Sequence, residues 1–183
     1  MKIIICGKIG AGKTTATGFL RSITNIPSID ADDIAKNLYK KNGDLRQKIE
    51  SIFRCEIFSK GEVIDKASFR KELVKNPDKI KEIDSLVHPR VEKILLEYFE
   101  KNEKIFIETP VFLSHLFGAA EKVLEIKASK EIRKKRSGFE DDFFEIMNER
   151  QRNNFPSKEE IVNEDSKDLL KKKILGFTAG MDF

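Results

Sequence analysis

A glycine-rich stretch near the amino terminus, GKIGAGKTT at residues 7–15, has the composition and spacing of a phosphate-binding loop. It matches the pattern G-x-x-x-x-G-K-[ST]. Glycines let backbone N–H groups approach an anion closely, and the helix that follows presents its positive end to the same anion. The lysine can bridge the β- and γ-phosphates, and the hydroxyl can bind Mg²⁺. We therefore predict a site for a nucleoside triphosphate with Mg²⁺, formed by Gly7, Lys8, Ile9, Gly10, Ala11, Gly12, Lys13, Thr14 and Thr15.

Three aspartates, Asp30, Asp32 and Asp33, follow the apolar stretch IPSI. They are expected at the carboxyl edge of a parallel sheet, where ligands bind in open α/β folds. A carboxylate there can orient or deprotonate an acceptor hydroxyl. The alternative for Asp32 is that it caps the next helix, and Asp33 in the first turn suits the helix dipole. Because capping explains one aspartate and not three, we favour a catalytic Asp32, with Asp30 beside it at the acceptor.

Further charged residues can act on the phosphates. Glu108 ends the apolar run IFIET and either binds Mg²⁺ with Thr14 or simply ends a strand. The segment at about 133–152 changes from basic to acidic and is interpreted as a lid. Arg136 is our first choice for a catalytic lid arginine that meets the triphosphate. The alternatives are a solvated basic helix face, or one of the neighbouring arginines Arg133, Arg150 and Arg152.

These residues need elements that hold them, and the chain alternates between short apolar runs and helical patterns. Strands are predicted at 2–6 and 26–30, in a run ending near Glu108, in KVLEIKAS and, weakly, in EIVNED. A helix is predicted from Lys13 to about Ser22. Such alternation is typical of an α/β fold, here a five-stranded parallel sheet flanked by helices.

The segment at about 43–102 breaks this alternation, and we interpret it as a mainly helical insertion that binds the acceptor. The core of a single domain would then comprise about 1–42 and 103–183. Apolar residues recur at helical spacing between Ile80 and Phe99 and are interrupted by Pro89. Because proline lacks an N–H donor, we expect one helix to end near Val87 and another to begin at Pro89.

The overall composition limits the classes of partner. The net charge is +4, from 35 basic and 31 acidic residues, which permits an anionic ligand without predicting nucleic acid. No apolar run approaches the roughly 20 residues that span a bilayer, and MKIIIC is too short for a signal peptide. We expect a cytoplasmic protein with no membrane partner. Cys6 and Cys55 form no C-x-x-C motif, so neither a disulfide nor a zinc site is expected.

Five segments of the sequence occur in the same order, and at about the same spacing, as in dephospho-coenzyme A kinases: GKIGAGKTT, SIDADDIAKNL, LVHPRV, TPVFL and KKR…RQ. The sequence resembles that family over nearly its whole length. The resemblance implies a P-loop kinase fold with a lid, and transfer of the γ-phosphate of ATP to the ribose 3′-hydroxyl of dephospho-coenzyme A, the last step of coenzyme A synthesis. It also implies that Asp32 is the catalytic base and that His88 lies on the acceptor side.

The chain departs from the family at two positions. Lys66 stands where the family usually has arginine, which keeps an acceptor-side charge but loses the bidentate fork, and Ser114 stands where glutamate is common. His88 has a simpler alternative, a hydrogen bond to nearby backbone. Three aromatic residues could line a channel for the pantetheine arm, although a role in the core is favoured: Phe53, Phe58 and Phe69.

Two rival functions are considered. Another small-molecule kinase, such as shikimate kinase, also has Asp-x-Asp after its second strand, but its Gly-Gly-Gly motif is absent here. A non-catalytic nucleotide switch would have D-x-x-G and N-K-x-D motifs, and the sequence has neither. A monomer or a small homo-oligomer is compatible with the sequence.

Overall fold

The structure, a computed structural model, describes residues 1–41, 43–53, 65–151, 155–156 and 159–181. The strands are β1 (Lys2–Cys6), β2 (Ser28–Asp30), β3 (Ile105–Thr109), β4 (Lys122–Lys127) and β5 (Glu159–Val162). The helices are α1 (Lys13–Thr24), α2 (Ala31–Lys41), α3 (Gly43–Phe53), α4 (Lys66–Lys75), α5 (Lys79–Lys101), α6 (Ser114–Ala119), α7 (Lys130–Ser137), α8 (Asp141–Arg150) and α9 (Lys167–Thr178).

The five strands form one parallel sheet in the order β2-β3-β1-β4-β5. This confirms the predicted α/β fold. The central strands β1 and β3 are buried almost throughout, as expected for a sheet with helices on both faces. Strand β2 is shorter than predicted and begins at Ser28. Pro27 accepts from the Phe106 N–H at 2.9 Å but has no N–H of its own to donate to the sheet. The carboxyl ends of β1, β2 and β3 meet at one edge, where Asp30 lies opposite Glu108.

Each face of the sheet has its own apolar cluster. On one face, alternate strand residues such as Ile4 and Ile107 pack with residues of the helices that follow β2 and β3. On the other, Ile3, Ile5 and Phe106 pack with α1 and α9. Cys6 is buried and free, as predicted, and Cys55 lies outside the described residues. No helix in the described ranges is both long enough and apolar enough to cross a membrane.

The helix break predicted at Pro89 is wrong, because α5 runs without interruption from Lys79 to Lys101. Its buried residues are spaced along one face on both sides of the proline: Ile80, Ile83, Val87, Val91, Leu95 and Phe99. A proline inside a helix costs about 3 kcal/mol. Burial of one such aliphatic or aromatic side chain contributes about 1.5–3 kcal/mol, so two or three of these contacts offset the lost hydrogen bond.

The predicted insertion and lid both contain helices. Helices α3, α4 and α5 lie within the insertion segment. Helices α7 and α8 lie largely within the segment predicted to be a lid and are joined by a turn at Gly138 with φ +65°. The lid and the insertion touch, since the Arg70 guanidinium of α4 stacks over the Phe139 ring with its centroid 4.5 Å away. The boundaries proposed for these units from the sequence remain predictions.

Candidate active site

The glycine loop joins β1 to α1 and has a backbone that only glycine adopts readily. Gly10 and Gly12 have φ values of +76° and +97°. A Cβ atom on Gly10 would lie 2.2 Å from the Arg133 carbonyl oxygen, and one on Gly12 would lie 2.3 Å from Asn163 Nδ2. The loop is thus packed closely against the chain that follows β4 and β5. Asn163, which the sequence reasoning missed, also donates from Nδ2 to the Ala11 carbonyl at 2.8 Å.

Lys13 lies at the centre of the site. It is half-buried, and desolvation lowers its pKa, while the nearby carboxylates Glu108, Asp32 and Asp30 act in the opposite direction. Its Nζ atom is 3.4 Å from the Lys8 carbonyl oxygen. A cation beside carboxylates at the loop can neutralise a polyphosphate, and this role of Lys13 stays a prediction.

The residues predicted to hold Mg²⁺ are in direct contact. The Thr14 hydroxyl donates to Glu108 Oε1 at 2.7 Å, and Glu108 is 5% exposed. A hydroxyl and a carboxylate are hard oxygen donors of the kind that Mg²⁺ prefers, so this pair fits the ion. Among the residues that the structure describes, no cluster of three or more His, Cys, Asp or Glu side chains is arranged to hold a metal.

The capping alternative for Asp32 is wrong. Helix α2 begins at Ala31, and the Asp32 backbone N–H donates to Asp30 Oδ1 at 2.8 Å, so Asp30 satisfies the helix end. Burial raises the pKa of Asp30 to about 6, with the charges of Asp32 and Glu108 adding to the effect. Asp33 pairs with Lys36 at 2.7 Å on the exposed surface of α2. Asp32 instead lines a cavity.

Two cavities meet at the loop. The first, of about 390 Å³, is bounded by the loop, α2, α4, α5 and the lid, and Asp32 and His88 lie in its wall. The second, of about 370 Å³, is bounded by the loop, the start of α1 and the chain after β5, and contains Arg136. Gly10 and Lys13 line both. Gly10 and Lys13 can therefore contact ligands in both cavities.

His88 takes part in a charged cluster between α5 and the lid. Arg150 Nε donates to Asp84 Oδ2 at 2.8 Å, and Arg150 Nη2 makes a second contact with the same carboxylate. His88 Nε2 lies 3.3 Å from Asp84 Oδ1 and 3.3 Å from Arg150 Nη2. Burial lowers the pKa of His88, against the opposing charge of Asp84. Asp84 was not identified from the sequence, although it lies one helical turn before His88.

The lid arginines occupy different places. Arg136 donates to the carbonyl oxygens of Asn163 and Asp165, at 2.7 Å and 3.3 Å, in the second cavity. Arg133 is 6% exposed and donates to the carbonyls of Ala128 and Ile9, so the alternative of a solvated basic face is wrong for it. Arg150 faces the first cavity. Arg152 lies outside the described residues.

The structure describes only some of the remaining residues that were predicted to contact the acceptor. Helix α4 begins at Lys66, but the structure does not describe the side chain of Lys66. Phe58 lies outside the described residues. Phe53 is buried in the core, as favoured, and its ring is 5.8 Å from that of Phe69, which lines the first cavity. Arg70, one turn after Lys66 on α4, supplies a described positive charge in the cavity wall that the sequence reasoning missed.

The sheet order, the glycine loop and two cavities meeting at Lys13 define a P-loop kinase that acts on a small molecule. The family model described as dephospho-CoA kinase matches residues 1–167, and the chain belongs to this family. The predicted enzyme class, a phosphotransferase of coenzyme A biosynthesis, is thereby confirmed.

Named relatives agree with this assignment. The dephospho-CoA kinase of Prochlorococcus marinus strain MIT 9312 is 30% identical over 143 residues, which cover 74% of this chain and 70% of the relative. That of Listeria monocytogenes serotype 4b is 26% identical over 138 residues, covering 72% and 68%. The residues matched by the family model, 1–167, include the loop and the segments predicted as the insertion and the lid.

Solved structures show the same fold at lower identity. The protein TT1252 from Thermus thermophilus superposes with a TM-score of 0.68, at 23% identity, covering 99% of this chain and 97% of that one. Dephospho-CoA kinase from Campylobacter jejuni gives 0.61 at 21% identity, covering 96% and 94%. Shikimate kinase from Aquifex aeolicus gives 0.51 at 18% identity, covering 98% and 97%.

Proposed function

We propose that this protein transfers the γ-phosphoryl group of ATP to the 3′-hydroxyl of the ribose of dephospho-coenzyme A. The observation that carries the proposal is the meeting of two cavities at Lys13, with Asp32 on the acceptor side. Phosphoryl transfer needs positioning and charge neutralisation more than covalent chemistry, and this arrangement provides both. Membership of the dephospho-CoA kinase family supports this choice of acceptor.

On the donor side, the loop from Gly7 to Thr15 binds the phosphates and Lys13 neutralises their charge. Thr14 and Glu108 would hold Mg²⁺, which when bound offsets the charge on the phosphate oxygens and the leaving group. Arg136 lies in the same cavity, and its contact with the nucleotide is part of the proposal.

On the acceptor side, Asp32 accepts the proton of the attacking hydroxyl. The cavity wall combines apolar residues of α5 with the charged side chains of Lys36, Arg70 and Arg150. This mixture suits an acceptor that has both apolar groups and a diphosphate, as dephospho-coenzyme A does. We infer that His88 contacts the acceptor with a neutral ring, since burial lowers its pKa, and that Lys66 contributes charge from the start of α4.

The test is an acceptor panel with purified protein, ATP and Mg²⁺. ADP release is expected with dephospho-coenzyme A, with 3′-phosphorylated product identified by mass spectrometry, and not with AMP or shikimate. Equal ADP release without any acceptor, or with shikimate alone, would refute the proposal. The predicted cytoplasmic location and oligomeric state, a monomer or small homo-oligomer, remain predictions.

A further inference from the structure

The residue at the third position of the loop, Ile9, is held by the lid through both of its backbone polar groups. Its N–H donates to Gln151 Oε1 at 2.6 Å, and Gln151 is 3% exposed. Its carbonyl accepts from Arg133 Nη1 at 3.4 Å, and Arg133 is also buried. Arg133 belongs to α7 and Gln151 directly follows α8, so both lid helices hold the same residue of the donor loop.

Gln151 is adjacent in sequence to Arg150, which has a different set of contacts. The Arg150 guanidinium binds the Asp84 carboxylate with two nitrogens and lies 3.3 Å from His88 Nε2. Both partners are on α5, in the wall of the acceptor cavity. Two consecutive residues at the end of α8 therefore connect the acceptor insertion to the ATP loop.

The contacts of Arg150 and the contact of Gln151 respond to different changes. The Arg150 contacts depend on the charges around the acceptor cavity, which an anionic acceptor changes when it binds. The Gln151 contact fixes a peptide next to Gly10, whose backbone is packed against the Arg133 carbonyl. A displacement of Gln151 leaves a half-buried N–H without its acceptor, and such a group is costly. The loop conformation that receives phosphates is thus sensitive to the position of α8.

We propose that Gln151 is a positioning residue that couples occupation of the acceptor cavity to the conformation of the ATP-binding loop. The coupling rests on the proposed function, because the acceptor is the ligand that acts on Asp84, His88 and Arg150. Gln151 also lies in the wall of the first cavity, and it acts on the loop through its hydrogen bond with Ile9. By thermodynamic linkage the effect is reciprocal: acceptor binding strengthens nucleotide binding, and nucleotide binding strengthens acceptor binding to the same degree.

The test uses two variants of Gln151 and one matched control. Gln151→Met keeps the length of the side chain and removes the oxygen that accepts from Ile9. Gln151→Glu keeps an accepting oxygen. Gln47→Met makes the same change at an exposed glutamine on α3, outside both cavities. Titration calorimetry measures the Kd of a non-hydrolysable ATP analogue with Mg²⁺, with and without saturating dephospho-coenzyme A, and steady-state kinetics give kcat and both KM values.

For the wild type, dephospho-coenzyme A is expected to tighten analogue binding at least about fivefold, the lower end of typical coupling. In Gln151→Met this ratio should fall to about one and kcat by about tenfold, the size expected for one lost buried hydrogen bond. The Kd of each ligand alone should change little. Gln151→Glu should retain the ratio, even if its added charge weakens binding of the nucleotide itself, and Gln47→Met should match the wild type.

Three results would overturn the proposal, and they distinguish its failure from failure of the function on which it rests. If the wild type binds dephospho-coenzyme A but Gln151→Met keeps the full coupling ratio, Gln151 is not a positioning residue and the proposed function stands. If both single-ligand Kd values of Gln151→Met rise and its melting temperature falls while the ratio persists, its role is only structural. If dephospho-coenzyme A does not bind the wild type at all, both proposals fail.

Discussion

Asp84 is the residue at which a small change should separate binding of the acceptor from binding of ATP. Its carboxylate is held by Arg150 of the lid and lies 3.3 Å from His88 on its own helix. Asp84→Asn keeps the shape of the side chain and removes the charge. Arg150 would then lose its paired anion, and the lid would lose its ionic contact with α5. We expect a raised KM for the acceptor and unchanged binding of an ATP analogue in the absence of acceptor.

The size of the effect of Asp84→Asn follows from how exposed the side chains of the ion pair are. The Asp84 and Arg150 side chains are 18% and 26% exposed. Breaking a fully buried pair costs about 3–5 kcal/mol, whereas an exposed pair contributes about 0–1 kcal/mol. Because the exposure of this pair is intermediate and asparagine still accepts one hydrogen bond, we expect the free energy of unfolding to fall by about 1–2 kcal/mol. In a chain of this size that lowers Tm by about 2–8 °C, and a similar loss of acceptor binding raises its KM by about five- to thirtyfold.

The assay combines thermal unfolding with steady-state kinetics, and Asp44→Asn is the control. Asp44 pairs with Lys48 at 2.9 Å, but these side chains are 66% and 51% exposed, so the same substitution should leave Tm and both KM values unchanged. The reasoning would be refuted if Asp84→Asn behaved like Asp44→Asn, or if it weakened binding of the ATP analogue as much as it raised the KM of the acceptor.

Two further predictions concern the carboxylates at the sheet edge. Glu108→Gln removes the charge that accepts from Thr14; we expect about tenfold weaker activation by Mg²⁺ in a titration of initial rates, and an unaltered Mg²⁺ curve would contradict this. Asp30→Asn tests the pKa of about 6, against an ordinary value of 3.8. Between about pH 4 and 6 folded Asp30 retains a proton that the unfolded chain has lost, so its contribution to stability falls as the pH rises. In urea unfolding, the free energy of unfolding of the variant should depend less on pH than that of the wild type. At pH 7 the variant should be more stable by about 1 kcal/mol, after allowance for solvent screening. A difference between the two proteins that stays constant from pH 4 to 7 would be incompatible with the raised pKa.

The parts of the site that the sequence predicted are those built from short local patterns. The loop residues are consecutive, and Asp30 and Asp32 directly follow a strand, so their proximity is a consequence of parallel strands ending at one edge. Glu108 was found in the same way, because it is near the end of the strand next to β2. The sheet itself was predictable for the same reason, since each strand is a short apolar run.

Asp84 and Gln151 were missed from the sequence, because their roles depend on contacts between distant segments. Gln151 meets Ile9 across 142 positions, and Arg150 meets Asp84 across 66. Neither pairing follows from spacing, because it depends on how the lid packs on the insertion. The error at Pro89 is of another kind: a local rule was outweighed by the buried face of α5. The capping alternative for Asp32 failed because α2 begins at Ala31, before Asp32, so Asp30 precedes the helix and accepts the backbone N–H of Asp32.

The central claim is that a phosphoryl group is transferred to the hydroxyl beside Asp32, and its most direct test is the kcat of Asp32→Asn for phosphorylation of dephospho-coenzyme A. Asp33→Asn is the matched control, since Asp33 is the next residue on α2 and lines neither cavity. Loss of a positioned general base predicts that kcat of Asp32→Asn falls on the order of 10²-fold or more, while the Kd of an ATP analogue is unchanged and Asp33→Asn retains near-normal kcat. Full kcat in Asp32→Asn, or an equal loss in both variants, would contradict the account.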